Sequence, residues 1–188
     1  MENLHTARRY VPALMPDADY LPHIYHLRAL AWERSPDGDM INRGLYPAGW
    51  TDALDATATH WIICNEVGDL IASARLNVLT DLNELLPVEE YTSYVIEIGK
   101  PIACMSRLVT HPDYRNLGLS HEMDKVRIAF AEAGSVRSMV GIAGDLGISR
   151  LEKLGFVHRF SFLDKTYTTN PRGARSHLMV LDIESRAI

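Results

Sequence analysis

Six residues, Arg115-Asn116-Leu117-Gly118-Leu119-Ser120, stand between an apolar, strand-like run and an amphipathic helical run. A chain entering a helix presents several backbone N–H groups without intrahelical partners at the positive end of the macrodipole. A glycine there lets an anion approach the main chain closely, and Arg115 adds a permanent charge on a forked set of donors. That is chemistry for a phosphate-bearing ligand, although the same residues also make an ordinary helix entry. Neither the glycine spacing of a dinucleotide-binding turn nor that of a nucleoside-triphosphate loop occurs. Upstream, Cys104 and Ser106 are two apart on a predicted strand, so both side chains fall on one face and Arg107 on the other. They are the candidates for proton transfer in catalysis, with core packing as the alternative for Cys104. His60, His111 and His121 are weaker candidates for a base, an orienting group or a phosphate neighbour, and Tyr114 for stacking on a cofactor. Asp52, Asp55, Glu89, Glu90 and Glu97 can attract a cationic amine or form a solvated acidic surface. A metal site has no support beyond scattered histidines, and no metal is expected.

Those residues need elements to hold them. Leu21–Trp32 places Ile24, Leu27, Leu30 and Ala31 on one helical face behind Pro22, which suits a first turn. Residues 35–50 collect Gly, Pro and Asp and read as a long loop. Thr59–Asn65 and Leu70–Val78 read as strands of an antiparallel hairpin around Val67-Gly68-Asp69, and the acidic run Asp81–Tyr94 is ambiguous. After residue 100 the order is strand (Pro101–Val109), loop, helix (Gly118–Ala133), strand (Ser138–Ala143), short helix (Asp145–Leu154), strand (Phe156–Leu163) and strand (His177–Ile183). In the long helix Leu119, Met123, Val126 and Phe130 follow the helical period, and Gly134 closes it. Thr166–Arg175 reads as a loop between the last two strands. The expectation is one domain over residues 1–188, of mixed α/β (α+β) class, with a mostly antiparallel central sheet flanked by helices.

Composition bounds the rest. The chain has 188 residues, 47% apolar and 23% charged, which suits one folded core and excludes collagen-like or low-complexity classes. No run is long and apolar enough to cross a membrane, and two cysteines are too few for a disulfide framework, so the cytoplasm is the expected compartment. Residues 1–100 carry 7 basic against 15 acidic side chains, and residues 101–188 carry 12 against 9. The second half therefore favours an anionic ligand, while the overall −5 argues against a nucleic-acid partner. Exposed sheet edges leave room for a homodimer.

Leu108-Val109-Thr110-His111-Pro112-Asp113-Tyr114-Arg115-Asn116-Leu117-Gly118-Leu119-Ser120 resembles the signature of the GCN5-related N-acetyltransferases, whose loop reads Gln/Arg-x-x-Gly-x-Gly/Ala. Arg115 and Gly118 match, and Ser120 departs by being slightly larger. Leu27-Arg28 with Trp32 resembles the family's first helix, Ala72-Ser73-Ala74-Arg75-Leu76 its third strand, and Glu152-Lys153-Leu154-Gly155-Phe156 the turn after its fourth helix. The resemblance implies the acyl-CoA N-acyltransferase fold. It also implies acetyl-CoA or another acyl-CoA as co-substrate, held by Leu108, Val109, Thr110, Arg115, Asn116, Leu117, Gly118, Leu119 and Ser120, and a small-molecule amine as acceptor. The strand N–H of Leu108 or Val109 would polarise the thioester. Two positions depart from the pattern: Leu151 stands where the family's tyrosine acid is usual, and Gly144 where an asparagine is frequent. Leu27-Arg28, Asp52 and Asp55 ahead of His60, Ala74-Arg75-Leu76 and Ser106-Arg107-Leu108 are similar to the branch of acyl-homoserine-lactone and N-acyl amino acid synthases. There Cys104 occupies the place of a glutamate common in the lactone synthases. Three functions stay open: an acetyltransferase, a longer-chain N-acyl synthase using acyl-CoA or acyl carrier protein, and a coenzyme A sensor without catalysis.

Overall fold

Alternating apolar residues in the strand runs and a three-to-four spacing in the helical runs resolve into a sheet with helices on both faces. A computed structural model describes residues 10–35, 44, 46–84, 97–164 and 174–186. Most of the predicted 35–50 loop, Glu89, Glu90 and most of Thr166–Arg175 lie outside the described residues. In chain order the elements are β1 (Ala13–Leu14), α1 (Leu21–Glu33), β2 (Thr59–Cys64), β3 (Leu70–Leu79), β4 (Ile102–Thr110), α2 (Leu119–Ala133), β5 (Ser138–Ala143), α3 (Asp145–Glu152), β6 (Val157–Asp164) and β7 (Ala174–Asp182). The strands form a seven-stranded sheet in the order β1-β2-β3-β4-β5-β7-β6. Every pairing is antiparallel except β4 with β5, which α2 connects. This is the expected mixed, mostly antiparallel architecture. The two-residue β1 is an addition too short to carry a periodic signal.

The β2–β3 hairpin turns through Asn65 and Gly68. The Asn65 carboxamide oxygen accepts from the N–H groups of Val67 and Asp69, and Gly68 takes φ 92°. On one face, Trp61, Ile63, Ala74, Leu76, Ala103, Met105 and Met139 meet Met123 and Ile128 of α2 and Leu151 of α3. On the opposite face, Leu27 and Ala31 of α1 cover Val109, and Ile102, Cys104, Val140, Leu178 and Val180 form a second apolar cluster. Alternation along β4 assigns its residues to the two faces.

Two helical stripes differ from expectation. In α1 the buried positions are Ile24, Leu27, Arg28 and Ala31, so Arg28 takes the place expected of Leu30. In α2 they are Leu119, Met123, Asp124, Arg127, Ile128 and Ala131; Phe130 lies 42% exposed against Trp61, and Val126 is half-buried. Periodicity counts apolar residues, so it misplaces a stripe whose charged members bury one another. Among the described residues no helix is long and apolar enough to cross a membrane.

Candidate functional site

β4 and β5 pair only from Ile102↔Ser138 to Met105↔Gly141, whereas β4 continues to Thr110 and β5 to Ala143. The strands therefore part beyond Met105 and leave a wedge. The cause is a bulge on the other edge of β4. Arg75 pairs with Ser106 and Ser73 with Val109, so Ala74 alone faces both Arg107 and Leu108. Arg107 takes φ 51°, a conformation that L residues avoid, and a bulge bends its strand. Arg127 of α2 supports the bend from the opposite face: its buried guanidinium donates to the carbonyls of Arg75 (3.1 Å) and Ser106 (3.4 Å). Burial pushes that arginine down to about 9.

The wedge opens beside the loop from Arg115 to Ser120. Asn116 (φ 64°) and Gly118 (φ 76°) are both left-handed, and Gly118 caps α2 with nothing within 4 Å of where a Cβ would stand. The first α2 N–H groups with partners are those of His121 and Glu122, which bond the Gly118 carbonyl. Among the described residues the N–H groups of 116–120 have no acceptor, so the loop offers a fan of donors to an anion. The guanidinium of Arg115 is not part of that fan. Its two NH₂ groups donate to the carbonyls of Ala31 and Arg34, both at 2.7 Å, and it closes the C-terminus of α1 instead of pointing at a phosphate. Thr110 and Ser120 stand 3.4 Å apart through their hydroxyls and tie strand to helix.

On the α1 face of the wedge the structure gathers an ion network. Asp55 Oδ1 and Oδ2 accept from Arg28 Nη1 at 2.9 Å, and Oδ1 accepts from Arg75 Nη1 at 2.9 Å. Asp52 accepts from Arg75 at 2.5 Å and from Arg107. Arg75 Nε also donates to Ser106 Oγ at 2.9 Å, and the Arg107 guanidinium lies 4.4 Å over the Trp50 ring. Asp52 and Asp55 form a capping box on the short 3-10 helix Ala53–Thr57, which brings both carboxylates to the sheet. Burial opposes their charge, but the arginines outweigh it: Arg75 and Arg107 hold Asp52 at about 2, and Arg28 and Arg75 hold Asp55 below the usual carboxylate range. His60 is buried beside Asp55, and burial pushes its pKa down, keeping it neutral. Arginines from α1, β3 and β4 thus converge on the two carboxylates.

This overturns one expectation. Asp52 and Asp55 are neither a solvated surface nor spare charges for a cationic amine, because arginines from α1, β3 and β4 already neutralise them. Cys104 is corrected as well. It is 2% exposed among Leu79, Ile102, Val140 and Leu178, and burial pushes its thiol up to about 12, so it packs and holds its proton. Ser106 shares that face, as alternation predicts, and sits at the wedge against Arg75. His111 accepts the Asp113 N–H through Nδ1 (3.3 Å), Tyr114 accepts from Asn65 (3.1 Å) and His121 is exposed, so these three stand outside the network. Leu151 is buried in the core, and Gly144 caps α3. Sequence reasoning missed the Arg127 support altogether. A charged residue on a predicted core face, here Asp124 followed three residues later by Arg127, was the available signal.

No family model and no curated protein matches the sequence. Solved structures do match the fold. A CoA-dependent acyl-homoserine lactone synthase, BjaI, with SAM and isopentyl-CoA superposes with a TM-score of 0.71 at 14% identity, over 93% of this chain and 84% of that one. FeeM, an N-acyl amino acid synthase from uncultured soil microbes, gives 0.67 at 13% identity over 94% and 92%. The ribosomal-protein-S18-alanine N-acetyltransferase from Escherichia coli gives 0.61 at 17% identity over 93% and 94%. The chain has the fold of the GCN5-related N-acetyltransferase superfamily.

Proposed function

We propose that this chain, built on the N-acyltransferase fold, moves an acyl group from an acyl-CoA thioester to the amine of a small molecule. The observation that carries the reading is the wedge between β4 and β5 opening beside five unpartnered N–H groups at residues 116–120. The donor fan takes the pyrophosphate of coenzyme A, with Leu108, Val109 and Thr110 along the pantetheine and Leu117, Leu119 and Ser120 at the turn into α2. The bulge at Arg107 and Leu108 aims a strand N–H of Leu108 or Val109 at the thioester oxygen, where the oxyanion develops. A neutral amine attacks the carbonyl carbon, the C–S bond breaks, the sulfur leaves as thiolate, since buried Leu151 offers no acid, and the acylated nitrogen sheds its extra proton to water.

The ion network supports a choice of acceptor. With Asp52 and Asp55 each already bonded to arginines, neither is a spare carboxylate for a polycationic amine, and guanidinium groups line the α1 face instead. That favours the acyl synthase reading over acetylation of a polyamine, and it stands with the similarity to an N-acyl amino acid synthase. The test is incubation with acetyl-CoA, octanoyl-CoA and free coenzyme A, recording thermal shift and thiol release against amino acids, S-adenosylmethionine and polyamines. The expected result is stabilisation by every thioester and release that depends on a carboxylate-bearing amine. Gly118→Glu, which directs a carboxylate into the open space before the loop, should abolish the thermal shift. Retained coenzyme A binding in that variant would sink the assignment of the loop.

A further inference from the structure

A second hydrogen-bonded array sits on the β7–β6 side of β5, where His177 pairs with Ala143 at the end of β5 that has parted from β4, and the acyl transfer proposed above assigns it no role. His177 of β7 is 5% exposed. Its Nε2 lies 2.7 Å from Asp145 Oδ1 at the start of α3, and its Nδ1 lies 2.8 Å from Ser161 Oγ on β6. His158 Nε2 is 3.1 Å from the same Oγ. His158 and Ser161 are three apart, so in a regular strand they would face opposite ways. They share a face because β6 passes from His158↔Met179 to Phe160↔Leu178, which makes Arg159 an extra residue.

The proton order follows from the groups. A carboxylate only accepts, so Nε2 of His177 carries a hydrogen, and in the neutral ring Nδ1 is then the acceptor. In that form Ser161 donates its hydroxyl to His177 Nδ1, and the serine oxygen accepts from His158 Nε2. A serine whose proton rests on an imidazole oriented by a carboxylate is an activated nucleophile. β6 is the edge of the sheet, Ser161 is half-buried, and His158 and Asp145 are exposed, so no other described strand bars approach.

We propose that Ser161, His177 and Asp145 form an esterase centre for small activated acyl esters and thioesters. Ser161 Oγ attacks the acyl carbonyl while its proton passes to His177 Nδ1. His158 Nε2, 3.1 Å from the serine oxygen, stands beside the reacting centre. Collapse expels the alcohol or thiol, which takes the proton from His177 and leaves an acyl-serine. Water, deprotonated by the same imidazole, cleaves that ester and releases the acid.

The test uses the full chain with p-nitrophenyl acetate as substrate and a fluorophosphonate as covalent probe. The expected result is a single adduct mapped to Ser161, and hydrolysis that falls to the buffer rate in Ser161→Ala. His177→Gln should lose about a hundredfold, as removal of a general base does. A merely structural tie between α3 and the β6–β7 pair would change melting temperature but form no adduct. Failure of the native protein to label at Ser161, or Ser161→Ala hydrolysing at the native rate, overturns the proposal. Labelling of the native protein needs no variant to fold, and neither readout depends on coenzyme A binding at the wedge.

Discussion

Arg28, Arg75 and Arg107 are far apart in sequence and converge on two aspartates three residues apart. Asp55 is the hub, since it holds Arg28, Arg75, the Thr51 hydroxyl and the Asp52 N–H together. Asp55→Asn should therefore leave two buried guanidinium groups under-compensated and cost about 3 kcal/mol, read as a lower urea midpoint with an unchanged slope. Cys104→Ala should cost only about 1 kcal/mol, because it removes one buried sulfur from an apolar cluster. Its acyl-transfer rate should equal the native rate; a large loss would restore Cys104 to the chemistry. The sequence displayed every one of these residue types. What it concealed was solvent exposure: an acidic side chain reads as surface until the arginine that buries it is in place, and a thiol reads as reactive until its neighbours prove apolar.

Among the elements, the helices, the hairpin and the parallel β4–α2–β5 unit were legible because each has a periodic apolar signal and a marked end. The bulge in β4 was not, since Arg107 adopts a positive φ that its residue type disfavours. Only the pairing of Ala74 with two residues reveals it, and the wedge follows from it. The glycine-bearing entry to α2 was legible, but the use of Arg115 was not. Its contacts to the last turn of α1 make it a tie between two elements. Arg115→Ala should destabilise the chain by about 1 kcal/mol and speed amide hydrogen exchange in the last turn of α1. It should weaken coenzyme A binding far less than Gly118→Glu does, because the fan is made of backbone N–H groups. Calorimetric titration of the two variants decides this, and equal losses would return the guanidinium to the phosphate.

Across the whole molecule, acid should unfold the protein in two limbs with distinct causes. Burial holds His60 below its ordinary 6.5, so as pH falls through 6.5 the unfolded chain takes up a proton that the native state resists, and stability drops. Asp52, held at about 2, and Asp55, also lowered, stay ionised in the fold. Stability present above about 3.8 is then lost as pH falls toward 2. Melting temperature against pH should show both limbs, and His60→Gln should flatten the upper one alone; a single limb unaffected by that change would mean that His60 is not the group responsible. The amino-acid sequence by itself determined the element order, the mixed sheet and the glycine-bearing entry to α2, because these depend on local periodicity and on what a residue type permits its own backbone. Tertiary structure decided the parting of β4 from β5, the neutralisation of Asp52 and Asp55, the redirection of Arg115 and the meeting of Ser161 with His177 and Asp145. Each of these is a contact between residues distant along the chain, and its energy comes from shared burial and complementary charge that no local pattern records.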